Sequence, residues 1–318
     1  MFDGRRGAAG ELLPRRRFYI LETIMKKAGW LAFLGIVLLA GCGDRAMKDS
    51  IEKNEEGARQ FQGGEYTAAE RSFEEAVSTK AENYTAWYNL GQTREQLKKF
   101  KEAADAFGNA VKFQPDDPMY HYRLGKALIG NDECEPRQES KSNVGLAQTH
   151  LEEAVKLEPR LHKAWYCLGQ LYNIQGEAKK SAEAWTKSAS LNPFEGEPFA
   201  ALGKLYIKWD KLAEAISVLD QGRVNVKDEH DQGELLFHLG FAYEKQGNLD
   251  KAIENYSQAI EKSGGDLDAR RQRGFAYANK GEKDKAKADL EAFVKAGGRG
   301  NSFEVQAANE RLLRMMGE

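Results

Sequence analysis

Glycines recur along this chain at nearly constant intervals, and this period constrains the fold more than any other feature. The spacings between consecutive members of the series are 34, 34, 44, 34, 37 and 34 residues. A period of about 20–50 residues is typical of stacked repeat units, each too small to bury its apolar face alone. The seven glycines are Gly57, Gly91, Gly125, Gly169, Gly203, Gly240 and Gly274.

Small residues also recur at two later phases of the period. An alanine such as Ala69 or Ala252 follows most of the glycines by twelve residues, with Ser181 in the fourth unit. Seven residues further on, six of the seven units carry a second small residue. Such positions mark helix contacts so close that a side chain larger than a methyl group would separate the backbones. The pattern therefore predicts an all-α chain of antiparallel helix pairs.

The units resemble tetratricopeptide repeats. The segment AWYCLGQLYNIQGEAKKSAEAWTKSASLNP (164–193) follows the W…LG…Y…A…F…A…P pattern of that family, with Trp185 in place of Phe. The resemblance implies a right-handed superhelix of about seven helix pairs, with the first helix of each pair lining a concave face. We predict repeats at 50–83, 84–117, 118–161, 162–195, 196–229, 233–266 and 267–300, followed by a capping helix at 301–318 with the apolar residues Phe303, Ala307, Leu312, Leu313 and Met316.

Two of the repeats depart from the pattern. The third has ten extra residues within 130–145, which we expect to form an exposed polar loop between its two helices. The seventh has Arg270 and Arg273 at positions that are normally buried. Either the aliphatic stems of these arginines lie along the interface with their charges in water, or this junction is looser than the others.

The N-terminal segment predicts export from the cytoplasm. Two lysines, 26 and 27, precede the apolar residues 28–40, a run shorter than the about 20 residues that a membrane-spanning helix needs. These features are typical of a signal peptide. We therefore assign residues 1–41 to an extended N-terminus with a signal peptide and residues 42–49 to a linker.

The end of this segment, Leu39-Ala40-Gly41-Cys42, resembles the lipobox of bacterial lipoproteins. The resemblance implies cleavage before Cys42, lipidation of its thiol and acylation of its new amino group, and two acyl chains anchor a protein stably in a membrane. A plain secretory signal, or a cysteine that ends a buried helix, is the alternative. Gly43 rather than an Asp follows Cys42, which favours a periplasm-facing position at the outer membrane.

The candidate partner-binding residues come from the family resemblance. It implies that the fifth and ninth positions of each first helix point into the concave groove. Tyrosine rings beside amide and ammonium donors favour a peptide ligand, although such rings also serve as ordinary packing. The lysine and asparagine arrangement by which some family members grip a C-terminal carboxylate is missing. The candidates are Tyr88, Gln92, Tyr122, Lys126, Tyr166, Gln170, Lys204, Phe237, Phe241 and Phe275.

The sequence offers little for catalysis, metals or nucleic acids. It contains no serine elbow, phosphate loop or HExxH motif, and its five histidines have no metal-ligand spacing. The acidic stretch KDEHDQGE (227–234) is expected to be a solvated connector. From Cys42 onward, 40 Lys and Arg stand against 46 Asp and Glu without a basic stripe, which argues against nucleic acid. Cys134 and Cys167 are weak evidence for a disulfide.

These features together predict a non-enzymatic, membrane-anchored interaction scaffold of the bacterial cell envelope, with no cofactor, no metal and no small-molecule substrate. It would bind a partner protein or peptide in its concave groove. The alternatives are a structural subunit of a multi-protein envelope or pilus assembly complex, which would use the convex face and the 130–145 loop, and a chaperone-like carrier.

Overall fold

The computed structural model describes residues 45–130, 134, 136, 138–297 and 303–317, which fall into two compact units divided after Leu97. Among these residues there are fifteen α-helices, one 3₁₀ helix and no strand. The fold class is all-α, as the small-residue period predicts. The first unit contains α1 (45–62), α2 (Tyr66–Thr79) and α3 (Tyr84–Gln96). The second unit contains α4 (Phe100–Phe113), α5 (Pro118–Ile129), the 3₁₀ helix (Gln138–Asn143), α6 (Val144–Leu157), α7 (His162–Ile174), α8 (Ala178–Leu191), α9 (Glu197–Lys208), α10 (Leu212–Asn225), α11 (Glu229–Lys245), α12 (Leu249–Lys262), α13 (Leu267–Lys280), α14 (Lys283–Gly297) and α15 (Phe303–Gly317).

Polar side chains join the three helices of the first unit. Asn83 caps α3, because its side chain accepts a hydrogen bond from the Ala86 N–H. The same side chain donates from Nδ2 to Ser50 Oγ at 2.8 Å, and Ser50 donates to the Ala76 carbonyl at 2.8 Å. Ser50 is fully buried and Asn83 nearly so, and their paired donors and acceptors fix how α1 meets α2 and α3.

The second unit is a stack of helix pairs. Within each pair the first helix packs on the second, as α7 does on α8, and successive pairs pack through contacts such as α8 with α9. Ser181 and Ser188, at two of the small positions, are fully buried and donate to the carbonyls of Gly169 and His162, each at 2.9 Å. The alanines at the early small position in the second unit are also fully buried: Ala103, Ala147, Ala215, Ala252 and Ala286.

The turns between paired helices use a left-handed residue, which stops the first helix. Glycines supply it at Gly176, Gly247 and Gly281, with φ between 79° and 83°. Asp210 takes the same conformation at φ 59° in the turn between α9 and α10. A side chain costs about 1–2 kcal/mol in this region, which glycine avoids.

Arg273 lies in the interface of the seventh repeat, where its charge is paired as well as partly exposed. Its guanidinium lies in the interface and donates from Nε and Nη2 to the two carboxylate oxygens of Asp289, at 2.7 and 2.8 Å, and from Nη1 to Ser257 Oγ at 3.0 Å. Asp289 is 6% exposed. A bidentate ion pair therefore joins α13 to α14, a hydrogen bond joins α13 to α12, and the Arg273 side chain remains 20% exposed.

The stretch 227–234 is only in part the solvated connector that its composition indicates, since residues 227–230 are exposed but most of the stretch is helical. Residues 229–234 are helical and begin α11, which is 17 residues long, against 12 for α9. Asp228 caps the helix by accepting from the Asp231 N–H at 3.0 Å, and Glu229 and Asp231 lie in the first turn, where the helix dipole favours negative charge. The long 37-residue spacing is thus absorbed as an added helical turn.

The C-terminal helix α15 packs against α13 and α14. Its buried contacts are Val305 and Ala308, which meet Leu290 and Phe293. Phe303 and Leu313, which were expected to face the last repeat, are 78% and 63% exposed. The expectation failed because the helix phase places Val305 and Ala308, three residues apart, on the covered face.

The close approach within a pair can be tested with one substitution at two glycines. A Cβ on Gly240 would lie 2.6 Å from the ring of Tyr256, which is fully buried, whereas a Cβ on Gly108 would meet no atom within 4 Å. We expect Gly240→Ala to lower the free energy of unfolding by about 1–3 kcal/mol through overpacking. Gly108→Ala should raise it by up to about 1 kcal/mol through helix propensity. Chemical denaturation followed by circular dichroism measures both, and equal effects would contradict the close contact.

Candidate functional site

Two pockets lie side by side on the face of the second unit to which α5, α7, α9 and α11 contribute. The larger has a volume of about 610 Å³ and the smaller about 390 Å³. Tyr166 and Glu197 line both of them, so these two residues stand where the pockets adjoin. We refer to the two pockets together as the groove.

Five of the predicted partner-binding residues line the groove. Tyr122 and Lys126 line the smaller pocket, Gln170 and Lys204 line the larger one, and Tyr166 lines both. Gln170 donates from Nε2 to the Tyr166 hydroxyl at 3.0 Å, which fixes the orientation of both side chains on α7. Tyr122 is only 6% exposed, with the Arg123 guanidinium 5.9 Å from its ring centre.

The other predicted residues lie elsewhere. Tyr88 and Gln92 are in the first unit, where Gln92 donates to the Tyr88 hydroxyl at 3.3 Å and so repeats the arrangement on α7. Phe237 and Phe241 on α11 are half-buried against the packed core and do not line either pocket. Phe275 is half-buried against the cluster that α15 completes. In this structure the three phenylalanines pack between helices.

Sequence reasoning missed three residues that shape the larger pocket. Trp185 on α8, Glu197 at the first position of α9 and Asp231 in the added turn of α11 all line it. Asp231 also accepts a hydrogen bond from the Gly196 N–H at 3.3 Å, which ties the added turn to the start of α9. Two signals pointed to them: the 37-residue spacing, and the tryptophan at a position where the family pattern has Phe.

The acidic side chains of the larger pocket differ in their charge environment. Glu234 accepts from Lys204 Nζ at 3.1 Å and lies 3.6 Å from His238 Nε2. The neighbouring His238, followed by Lys204, lowers the pKa of Glu234 to about 2. The pKa of Glu197 is raised, chiefly because surrounding protein displaces water from its carboxylate and then because Asp231 and Glu195 repel it. Loss of water also raises the pKa of Asp231.

Cys134 and Cys167 form a disulfide, which the sequence gave little reason to expect. Their Cα atoms are 5.0 Å apart, within the ordinary range, and both residues are almost fully buried. Both cysteines line the smaller pocket, and Cys167 directly follows Tyr166 on α7. The 130–145 insertion is therefore fixed to the groove at Cys134, whereas its residues 131–133, 135 and 137 lie outside the described part of the chain.

In the described part of the chain, no three His, Cys, Asp or Glu side chains gather in a way that could hold a metal ion. The side chains that line the groove are aromatic, amide, ammonium and carboxylate groups on rigid helices. Such a set can bind extended polypeptide through ring contacts, hydrogen bonds and ion pairs.

Comparisons with known proteins agree with this fold. Two stretches, residues 55–118 and residues 233–263, match family models of the tetratricopeptide repeat, so the chain contains such repeats. Neither model describes an enzyme. Tetratricopeptide repeat protein 37 of Xenopus laevis is 24% identical over 203 residues, which cover 63% of this chain but only 12% of that protein. The chain thus spans a small part of that relative.

Two solved structures show the same architecture. PilF of Pseudomonas aeruginosa matches with a TM-score of 0.56 at 16% identity, covering 74% of this chain and 99% of that one. YrrB, a tetratricopeptide repeat protein with an unusual peptide-binding site, matches with a TM-score of 0.51 at 21% identity, covering 65% of this chain and 99% of that one. At these identities the likeness concerns the fold, which is that of a tetratricopeptide-repeat protein.

The disulfide predicts a loss of stability on reduction. Cys134→Ser should lower the free energy of unfolding by about 2–4 kcal/mol, because the disulfide closes a long chain segment in the unfolded state. Dithiothreitol should lower the thermal midpoint of the wild-type protein to about that of Cys134→Ser, and it should leave the midpoint of Cys134→Ser unchanged. A wild-type midpoint that does not respond to the reductant would contradict the pairing.

Proposed function

We propose that this protein is a lipid-anchored scaffold of the bacterial cell envelope, which recruits a partner by binding an extended segment of it in the groove. The observation that carries the proposal is the position of Tyr166, which lines both pockets with its hydroxyl held by Gln170. A ring fixed at the point where two pockets adjoin presents apolar area and a polar tip at little cost in side-chain entropy.

The size and lining of the groove support a polypeptide ligand. Its two adjoining pockets draw residues from four consecutive first helices, which is more surface than one compact small molecule needs. Lys126 and Lys204 at its edges provide donors for main-chain carbonyls or acidic side chains. Affinity would come from a few aromatic contacts rather than from total buried area.

The envelope location rests on the N-terminal sequence and is supported by the disulfide. Structural disulfides form and persist in oxidising compartments such as the bacterial periplasm, and the Cys134–Cys167 pair fits that environment. Cys42 and the apolar run 28–40 lie outside the described residues. Within the described part, no helix has the length and apolar character needed to cross a membrane. Attachment is therefore proposed through the acyl chains on Cys42.

Binding, rather than catalysis, is the proposed role. The matching family models are those of the tetratricopeptide repeat, and neither of them is a catalytic family. We propose a protein or peptide partner, and neither a nucleic acid nor a small-molecule substrate.

The groove can be tested by photo-crosslinking in cells. A photoreactive amino acid in place of Tyr166 should capture one dominant protein, and the same amino acid in place of Val224, which is 69% exposed on α10, should not. Tyr122→Ala combined with a crosslinker at position 166 should reduce the product several-fold, because a ring that contacts the ligand would be lost. Products formed only from probes placed in the 130–145 insertion would contradict the groove and favour a structural subunit of an envelope complex.

The anchor can be tested at Cys42. The variant Cys42→Ser should leave the protein without incorporated radiolabelled palmitate, and either released from membranes or retained with its signal uncleaved. A Cys134→Ser variant serves as the control, since it also replaces one cysteine by serine but should keep both the label and the membrane fraction. Unchanged labelling of Cys42→Ser would refute the lipid anchor.

A further inference from the structure

The larger pocket of the groove has a charge pattern that singles out one kind of ligand. Of its three carboxylates, only Glu234 forms ion pairs, with Lys204 and His238. Among the described residues, neither Glu197 nor Asp231 forms an ion pair with a Lys, Arg or His side chain within 4.0 Å. The N-termini of α9 and α11 lie near these two residues and favour negative charge. They do not fully compensate for the loss of water and the repulsion, since the pKa of each carboxyl group is still raised. A cation placed between them would relieve their mutual repulsion.

A second observation, independent of the acidic residues, also indicates a missing ligand. Trp185 lines the same pocket and is only 2% exposed, and its Nε1–H has no hydrogen-bond partner in the described part of the chain. Buried indole N–H groups usually find an acceptor, and an unpaired buried donor costs about 1–3 kcal/mol.

The same chain provides the contrast. Tyr256 occupies the position of α12 that corresponds to Trp185 in α8 and faces Gly240 as Trp185 faces Gly169. Its hydroxyl donates to Glu244 at 2.7 Å, so the polar tip is satisfied within the fold. The unpaired donor at Trp185 is therefore not a general property of an aromatic residue at this position, but belongs to the wall of the larger pocket.

We propose that the larger pocket binds a lysine or arginine residue of an extended partner segment, with its cation between Glu197 and Asp231 and a main-chain carbonyl as the acceptor for Trp185. A basic residue within a polypeptide brings both groups at once: the side chain supplies the positive charge and the backbone supplies the acceptor. The adjoining pocket, which shares Tyr166 and Glu197, gives the rest of the segment a place to continue. This continuity favours a polypeptide over a free small cation.

The proposal rests on the proposed function and specifies the ligand of the same groove. It is tested with the full-length protein in detergent and an array of short synthetic peptides of random sequence. Wild-type protein should select peptides that contain Lys or Arg, and addition of salt should weaken the selection. Glu197→Gln combined with Asp231→Asn should weaken binding of the selected peptides about tenfold or more, because the carboxylates are neutralised without loss of volume.

The control pair, Glu183→Gln with Glu214→Gln, makes the same change in net charge at exposed positions on α8 and α10. The control pair should still select basic peptides. If both pairs lost this selection equally, the attraction would be nonspecific and the proposal would be overturned. Selection that survives in the Glu197/Asp231 pair, or a wild-type protein that selects no basic peptide, would also overturn it. The thermal midpoint of the Glu197/Asp231 pair should not fall, because two repelling groups become neutral.

The indole is tested separately. Trp185→Phe keeps an aromatic ring against Gly169 but removes the N–H. It should weaken binding of the selected peptides about fivefold. Tyr256→Phe, which removes a polar tip outside the groove, should leave their binding unchanged. Failure of this inference differs from failure of the proposed function: a partner crosslinked at position 166 whose binding ignores basic residues defeats only the inference, and basic peptides bound in the absence of any crosslinked partner defeat only the scaffold function.

Discussion

The contact on which this structure depends joins a glycine of a first helix to a large side chain in the second helix of the same pair, and it recurs at Gly57, Gly125, Gly169, Gly203, Gly240 and Gly274. The glycine leaves room for a ring or a branched chain to lie directly on the helix backbone, as Tyr256 does on Gly240. Helices held at this distance bury the alanines and serines beside them completely.

Interior packing and the lining of the groove consequently share residues. Trp185 fills the space over Gly169 and at the same time forms a wall of the larger pocket, so the choice of an aromatic residue for the interior also sets which polar atom the pocket contains. The Cys134–Cys167 disulfide acts similarly at the smaller pocket, since it fixes an insertion to α7 one residue from Tyr166. Substitutions made to test binding in this protein therefore need stability controls, and the matched pairs above provide them.

The helical repeats could be predicted because their signal is local: small residues at a fixed period mark close contacts whatever the other residues are. Tyr122, Tyr166 and Gln170 were also predicted to lie in the groove, since a position within a repeat determines the direction of the side chain. Glu197 and Asp231 were missed because their proximity depends on the first turn of α11, and the composition of residues 227–234 indicated a connector there instead of a helix. The disulfide was only weakly indicated because its two cysteines are 33 residues apart, and the ion pair of Arg273 was missed because its partner Asp289 lies on another helix.

The added turn at the start of α11 shows how a repeat protein can acquire a new surface without disturbing its interior. Three or four residues make one turn of an α-helix, so an insertion of that length leaves every later residue of the helix facing the same direction, and Gly240 still meets Tyr256. The added turn leaves the packing between the helices unchanged. It extends the start of α11, so that Asp231 accepts a hydrogen bond from the Gly196 N–H. Repeats can therefore differ in helix length while their packing residues stay the same. One added turn is enough to give two such repeats different surfaces for a ligand.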